Sequence, residues 1–193
     1  AATASFGHGL SVTPLQMLTA TAALVNGGRL MPATLFRRTE EEALALSTQV
    51  VSQTTSDQIR YLMRLNAIEG SGSRANRISA GYRWGGKTGT AEKVVNGRYS
   101  SEKVTNFFAS AFPLENPRYA MFILVDEPEA ENAQSGRTAG WNAGEMSGRI
   151  VARIAPMLGV RPDTNPAIDA ALVPAELRVH QTSLPATAPN GLN

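Results

Sequence analysis

Eight residues, Gly81-Tyr82-Arg83-Trp84-Gly85-Gly86-Lys87-Thr88, match the pattern of a phosphate-binding loop, in which a glycine-rich turn cradles a nucleotide and a lysine reaches its phosphates. Ala120–Val125 followed by Asp126-Glu127 even imitates the apolar strand that ends in a magnesium-binding acid. Such a loop works only between a buried strand and a helix N-terminus, whose amides and dipole hold the phosphate. Here Ser73-Arg-Ala-Asn-Arg-Ile-Ser-Ala80 stands upstream and is no buried strand. Thr90-Ala-Glu-Lys-Val-Val-Asn-Gly97 stands downstream and alternates like a strand. A nucleotide hydrolase is therefore the weaker reading. On an edge strand the same residues support other chemistry. Gly85, Gly86 and Gly89 let a ligand backbone approach closely, so that a peptide could lie alongside by strand addition. Lys87 brings positive charge for a carboxylate, Thr88 and Thr90 bring hydroxyls, and a strand amide could help to bind an oxyanion.

The elements that must position these residues follow from pattern. Thr13, Pro14 and Gln16 read as the cap, first position and capping-box partner of a helix whose apolar residues are Leu15, Leu18, Ala22 and Val25, with Asn26-Gly27-Gly28 as its stop. A second helix is expected from Thr55, with Ile59, Leu62, Met63 and Ile68 inward, followed by a flexible Gly70–Ser73 loop. Arg83–Val95, Val104–Leu114 and Tyr119–Val125 read as strands, the first two joined at Asn96-Gly97. Short turns make them an antiparallel meander, and the third, apolar on both faces, is expected to be central. A third helix should start at Asn142, carry Glu145 in its first turn, turn Met146, Ile150, Val151, Ile154 and Leu158 inward, and stop at Gly159. Residues 161–193 hold five of the 11 prolines and are expected to be extended or disordered.

Composition narrows the function classes. Of 193 residues, 42% are apolar, enough for a core, and the net charge of +2 gives no support to nucleic-acid binding. With no cysteine there is no disulfide, thiol nucleophile or cysteine-bound metal. His8 and His180 have no metal-like spacing, so no metal and no cofactor are expected. Leu15–Val25 is too short to span a bilayer, which takes about 20 apolar residues. Residues 70–103 carry seven Lys/Arg against two Asp/Glu, a local +5, and residues 115–145 carry two against six, a local −4. A basic strand facing a cleft would suit an anionic ligand; ordinary surface scatter is the alternative. Trp84 and Trp141 read as packing residues, Glu40-Glu41-Glu42 as a solvated run, and Asp126-Glu127 as a solvated strand end.

Longer segments carry a resemblance. Ser5–Gln16, Gly81–Lys93 with its Lys-Thr-Gly, Phe108–Pro113, Val125–Pro128 and Thr138–Ala143 resemble, in the same order, segments of class B penicillin-binding proteins, above all those of the septal cell-division type. The likeness spans about residues 4–160. It implies an α+β penicillin-binding transpeptidase or β-lactamase-like fold: a three-stranded antiparallel meander with helices on both faces, in a unit 1–160 followed by a tail 161–193. It implies a serine peptidoglycan D,D-transpeptidase that cross-links stem peptides and is acylated by β-lactams; a β-lactam-sensing domain of the same fold is the alternative. By this likeness Lys87 would orient the donor carboxylate and assist proton transfer. Thr88, Gly89 and Thr90 would bind the substrate, and the Thr90 amide would form half of the oxyanion hole. The implied partners are stem peptides, β-lactams and other division proteins, and the implied location is the periplasmic side of the bacterial inner membrane, with the anchor outside this chain.

The family's Ser-x-x-Lys and Ser-x-Asn motifs, expected before Lys87, are absent. The one Ser-x-x-Lys, Ser100-Ser-Glu-Lys103, comes after it and in a turn region. The chain is therefore expected to be the C-terminal half of such a domain, without its nucleophile and with an open apolar strand edge that takes the missing N-terminal half or a second copy. The isolated chain should not be acylated by penicillin. Incubation with a fluorescent penicillin, followed by denaturing electrophoresis, should show no labelled band; a retained label overturns this.

Overall fold

Thr13 opens the first helix, α1 (Pro14–Val25), with its hydroxyl accepting from the Gln16 amide while the Gln16 side chain accepts from the Thr13 amide, in the computed structural model, which describes residues 11–130 and 136–175. A two-residue antiparallel ribbon, β1 (Arg29–Leu30) with β2 (Thr48–Gln49), brackets the short helix α2 (Glu40–Ala45). The acidic run Glu40–Glu42 is exposed as expected, but it is also the first turn of α2. Thr39 caps that helix reciprocally with Glu42, and the carboxylates sit at the positive helix end.

Helix α3 (Gln53–Glu69) starts two residues before Thr55, because the Ser52 hydroxyl takes the Thr55 amide and makes Ser52 the cap. Its buried face is Ser56, Met63 and Ala67, whereas Leu62 and Ile68, expected inside, are 54% and 43% exposed. The Gly70–Ser73 stretch, expected to be a flexible loop, is a tight turn. The amides of Gly70 and Gly72 donate to the Asn66 carbonyl and that of Ser71 to its side chain, which delivers the chain into α4 (Ser73–Ile78).

The expected meander is present: β3 (Gly85–Val95), β4 (Arg98–Phe112) and β5 (Tyr119–Asp126) are antiparallel in that order. Asn96 and Gly97, at φ +52° and +77°, form the tight turn. The sequence reading of β5 as the central strand is corrected. β4 is the middle strand, and the second edge of β5 has no strand partner among the described residues. β5 is apolar on both sides because helices cover both faces. Val25 of α1 packs with Ala111 on one face, while α5 (Ala143–Met157) packs Val151 and Ala155 with Phe108 and Phe112 on the other. The α5 face carries the larger core. Trp84 and Phe108 meet there at 5.5 Å between ring centroids, and Phe112 and Tyr119 at 5.3 Å.

Asn142 caps α5, as predicted, but Met146 is 45% exposed and the buried stripe runs through small residues, Gly144, Ser147 and Gly148 among them. A β-carbon on Gly148 would lie 2.5 Å from the Ala75 carbonyl, so α4 and α5 touch backbone to backbone. Residues 161–175 do not run extended. They form α6 (Pro166–Ala171), where Arg64 forks onto Asp169 at 2.8 and 3.1 Å, and buried Arg83 lies 3.4 Å from the same carboxylate. Residues 176–193, His8 and His180 lie outside the described residues. No described helix is long and apolar enough to cross a membrane.

Phe108 is fully buried. Phe108→Ala should cost about 3–5 kcal/mol in urea-induced unfolding. Leu35→Ala, at a fully exposed position, should stay within about 0.5 kcal/mol.

Candidate functional site

Alternation along β3 sends Thr88 and Thr90 to the face shared with Phe108 and α5, and Lys87 and Gly89 to the other. β3 is an outer strand with one edge unpaired among the described residues. Beside Thr88 and Thr90 opens a cleft of about 480 Å³. One wall is the α3–α4 turn and α4, which contribute Ser71, Arg74 and Arg77; the other is Thr138–Trp141, just before α5. The walls come close at Gly140, where a β-carbon would sit 3.0 Å from the Ser71 carbonyl.

The two threonines are held by hydrogen bonds. The Thr88 and Ser71 hydroxyls share one at 2.9 Å, and the Thr90 hydroxyl accepts from the Ala139 amide at 3.3 Å. Lys87 is not in the cleft lining; its ammonium turns along the strand and donates to the Thr88 carbonyl at 2.7 Å and to the Thr88 hydroxyl at 3.4 Å. Gly89 lies over the Phe107 ring, which a β-carbon would penetrate at 2.1 Å. Of the four residues singled out in the sequence, the structure thus brings two hydroxyls to the cleft and folds the Lys87 ammonium back to within 3.4 Å of one of them, that of Thr88.

Other residues shape the site without having been singled out. Asn106, fully buried and directly opposite Thr90, donates to the Arg137 carbonyl and to the Asn142 side chain at 3.0 Å, pinning the Thr138–Trp141 wall. A lone amide just before the apolar run Phe107–Phe112 is the signal that could have found it. Trp84 packs inside as expected, but Trp141 is 40% exposed at the cleft rim, with the Arg74 guanidinium 4.4 Å from its ring centroid. Glu145 holds Arg74 at 2.6 Å and Arg149 at 2.7 Å. The Arg149 and then the Arg74 hydrogen bonds keep the Glu145 carboxyl below the usual glutamate range.

Away from the cleft, the basic and acidic blocks meet. Lys93 reaches Asp126 at 2.7 Å and Glu127 at 3.0 Å, and Lys103 reaches Glu127 at 3.7 Å. The two carboxylates, expected to be merely solvated, therefore clasp the β3–β4 hairpin to the end of β5. The Lys93 hydrogen bond lowers both of their pKa values, and Asp126 and Glu127 in turn raise that of Lys93. Ser100–Lys103 sits in this region on a bulge. Glu92 pairs with Val104 but Lys93 with Ser100, and the Ser100 hydroxyl accepts from the Glu102 and Lys103 amides. That hydroxyl caps a bulge, and the nearby Lys93 and Lys103 are engaged by Asp126 and Glu127. The structure agrees with the sequence reading that set the phosphate loop aside. A helix, α4, precedes the Gly81–Thr88 segment and a strand follows it, so the segment lacks the helix N-terminus that would hold a phosphate.

The family model "Penicillin binding protein transpeptidase domain" matches residues 1–146. Among curated proteins, the probable peptidoglycan D,D-transpeptidase FtsI of Caulobacter vibrioides is 37% identical over 171 aligned positions, covering 84% of this chain and 29% of that protein. Stage V sporulation protein D of Bacillus subtilis is 36% identical over 173 residues, 85% of this chain and 26% of that protein. The chain thus spans under a third of the length of these relatives. Among solved structures, the apo transpeptidase domain of penicillin-binding protein 3 from Burkholderia pseudomallei superposes with a TM-score of 0.71 at 33% identity, covering 84% of this chain and 47% of that one. Penicillin-binding protein 3 from Mycobacterium tuberculosis, complexed with ampicillin, gives 0.67 at 26% identity, covering 83% and 38%.

A carboxyl whose pKa is lower in the folded than in the unfolded chain stabilises the fold above its unfolded value, and that stabilisation is lost as pH falls through the folded value. Lowering the pH from 7 should therefore leave the Arg74–Trp141 contact intact through the ordinary glutamate range and release it only below that range, as Glu145 takes up a proton. Trp141 fluorescence, followed in a Trp84→Phe background, should show this acid transition, and Glu145→Gln should abolish it.

Proposed function

The chain belongs to the penicillin-binding protein transpeptidase family, and on that premise we propose that it supplies one wall of the active site of a peptidoglycan D,D-transpeptidase. The observation that carries this is the pair of threonine hydroxyls at a cleft with arginines on one wall and no acidic residue among its described lining. Such a site receives a carboxylate. Thr88 and Thr90 donate to the C-terminal carboxylate of a stem peptide, or to the equivalent carboxylate of a β-lactam. The Thr90 amide stabilises the oxyanion that forms when the penultimate carbonyl is attacked. Lys87, whose ammonium lies 3.4 Å from the Thr88 hydroxyl, adds positive charge beside the carboxylate and assists proton transfer. The attacking serine forms an ester as the terminal D-alanine leaves with a proton, and an amine of a neighbouring stem peptide then displaces the serine. That serine and its base lie on Ser-x-x-Lys and Ser-x-Asn motifs that these 193 residues do not contain before Lys87. The chain by itself then binds donor ends without turning them over. The periplasmic face of the inner membrane and the septal division apparatus are the setting this reading assigns to it.

Titration of isotope-labelled protein with N-acetyl-D-alanyl-D-alanine should shift the amide resonances of Ser71, Thr88 and Thr90. Thr90→Val should weaken binding about tenfold, as loss of a charge-assisted hydrogen bond does. A titration that leaves all three resonances in place overturns the proposal.

A further inference from the structure

The threonines can hold one carboxylate, and the α4 wall is built to hold a second. Arg74 and Arg77 stand three residues apart on one face of a six-residue helix, and both line the cleft. Like charges at that spacing repel, and α4 has no side-chain cap to offset the strain on so short a helix. Arg74 is restrained by Glu145 and by the face of Trp141. Glu145 is itself shared with Arg149. Arg74 and Arg149 share the one carboxylate of Glu145, and Arg77 adds a further guanidinium to the wall. No acidic residue stands among the described lining of the cleft.

Arg77 differs from the other arginines near it. Arg64 and Arg83 are committed to Asp169, and Arg74 and Arg149 to Glu145. The Arg77 side chain has neither a hydrogen bond nor an ion pair to any described residue, and it lies exposed between the cleft and a second cavity that Asp163 and Asp169 line. A planar guanidinium with its donors unused takes a carboxylate through two parallel N–H···O bonds. Arg74, locked beside it, adds field without competing for the ligand.

Resting on the function proposed above, we propose that Arg77 is a specificity residue: it binds a carboxylate on a side chain of the donor peptide, upstream of the terminal carboxylate held by Thr88 and Thr90. The preferred substrate class is then a D-alanyl-D-alanine peptide that also carries an acidic side chain.

Two probes separate this from the parent reading: acetyl-L-glutamyl-D-alanyl-D-alanine and its glutaminyl isostere, titrated into the 193-residue chain with resonances of Thr88, Thr90 and Arg77 followed. The glutamyl peptide should bind about tenfold more tightly, and the preference should collapse towards unity in 1 M salt, where the Debye length is about 3 Å. Arg77→Gln should bring the ratio of the two affinities to about one, Arg77→Lys should retain part of it, and Arg98→Gln, at the hairpin turn far along β4, should keep it. Equal affinities in the unsubstituted chain, with both peptides shifting Thr88 and Thr90, overturn this proposal and leave the parent reading standing. A preference that survives Arg77→Gln overturns it too. Failure of both peptides to shift Thr88 and Thr90 overturns the parent reading, and this one with it.

Discussion

The register between β3 and β4 is the constraint from which the site follows. Thr88 faces Phe108 and Thr90 faces Asn106 across the ladder. Each pair shares a face of the sheet, so the burial of Phe108 against Trp84 and α5 dictates which way the two hydroxyls point. A slip of one residue would put Lys87 and Gly89 at the cleft and drive the threonines towards the Phe107–Phe122 stack. Asn106, brought inside by the same register, ties the pre-α5 segment down through Arg137 and Asn142. One hydrophobic anchor and one buried amide therefore set both the floor of the cleft and its second wall.

Charge is sorted by the same architecture. The meander brings the basic hairpin beside the acidic end of β5, and Lys93 and Lys103 are neutralised there by Asp126 and Glu127. On the C-terminal side, α6 brings Asp169 to Arg64 and Arg83, burying two guanidinium groups that would otherwise be stranded behind β3. Arg77 on α4, beside the cleft, carries no such pairing with a described residue. Part of the local +5 of residues 70–103 is thus neutralised structurally, at the hairpin and behind β3.

Much of the fold was legible because the signals are local. Thr13-Pro14-x-Gln16 closes a capping box within one helical turn, Asn96-Gly97 adopts the left-handed pair that a tight hairpin needs, and Asn142 caps α5. Failures came where a distant element decided. Leu62 and Ile68 have helical spacing like Met63, but the backbone of β3 lies only over Met63. β5 is as apolar as a central strand because α1 and α5 cover it, and its sequence carries no record of which edge is paired. Residues 161–175 are rich in proline, yet Asn165-Pro166 starts a helix that two arginines hold in place.

The sequence by itself determined the chemistry: Lys-Thr-Gly-Thr on a strand, flanked by segments in the order of one family, with no upstream serine motif in these residues. These are properties of neighbouring residues and survive in any conformation. Only the tertiary structure decided that the hydroxyls of Thr88 and Thr90 face a cleft, that Trp141 stands at its rim, and that the Arg77 side chain has no partner among the described residues. Those outcomes depend on contacts between residues dozens of positions apart, which packing and register select and which no local pattern encodes.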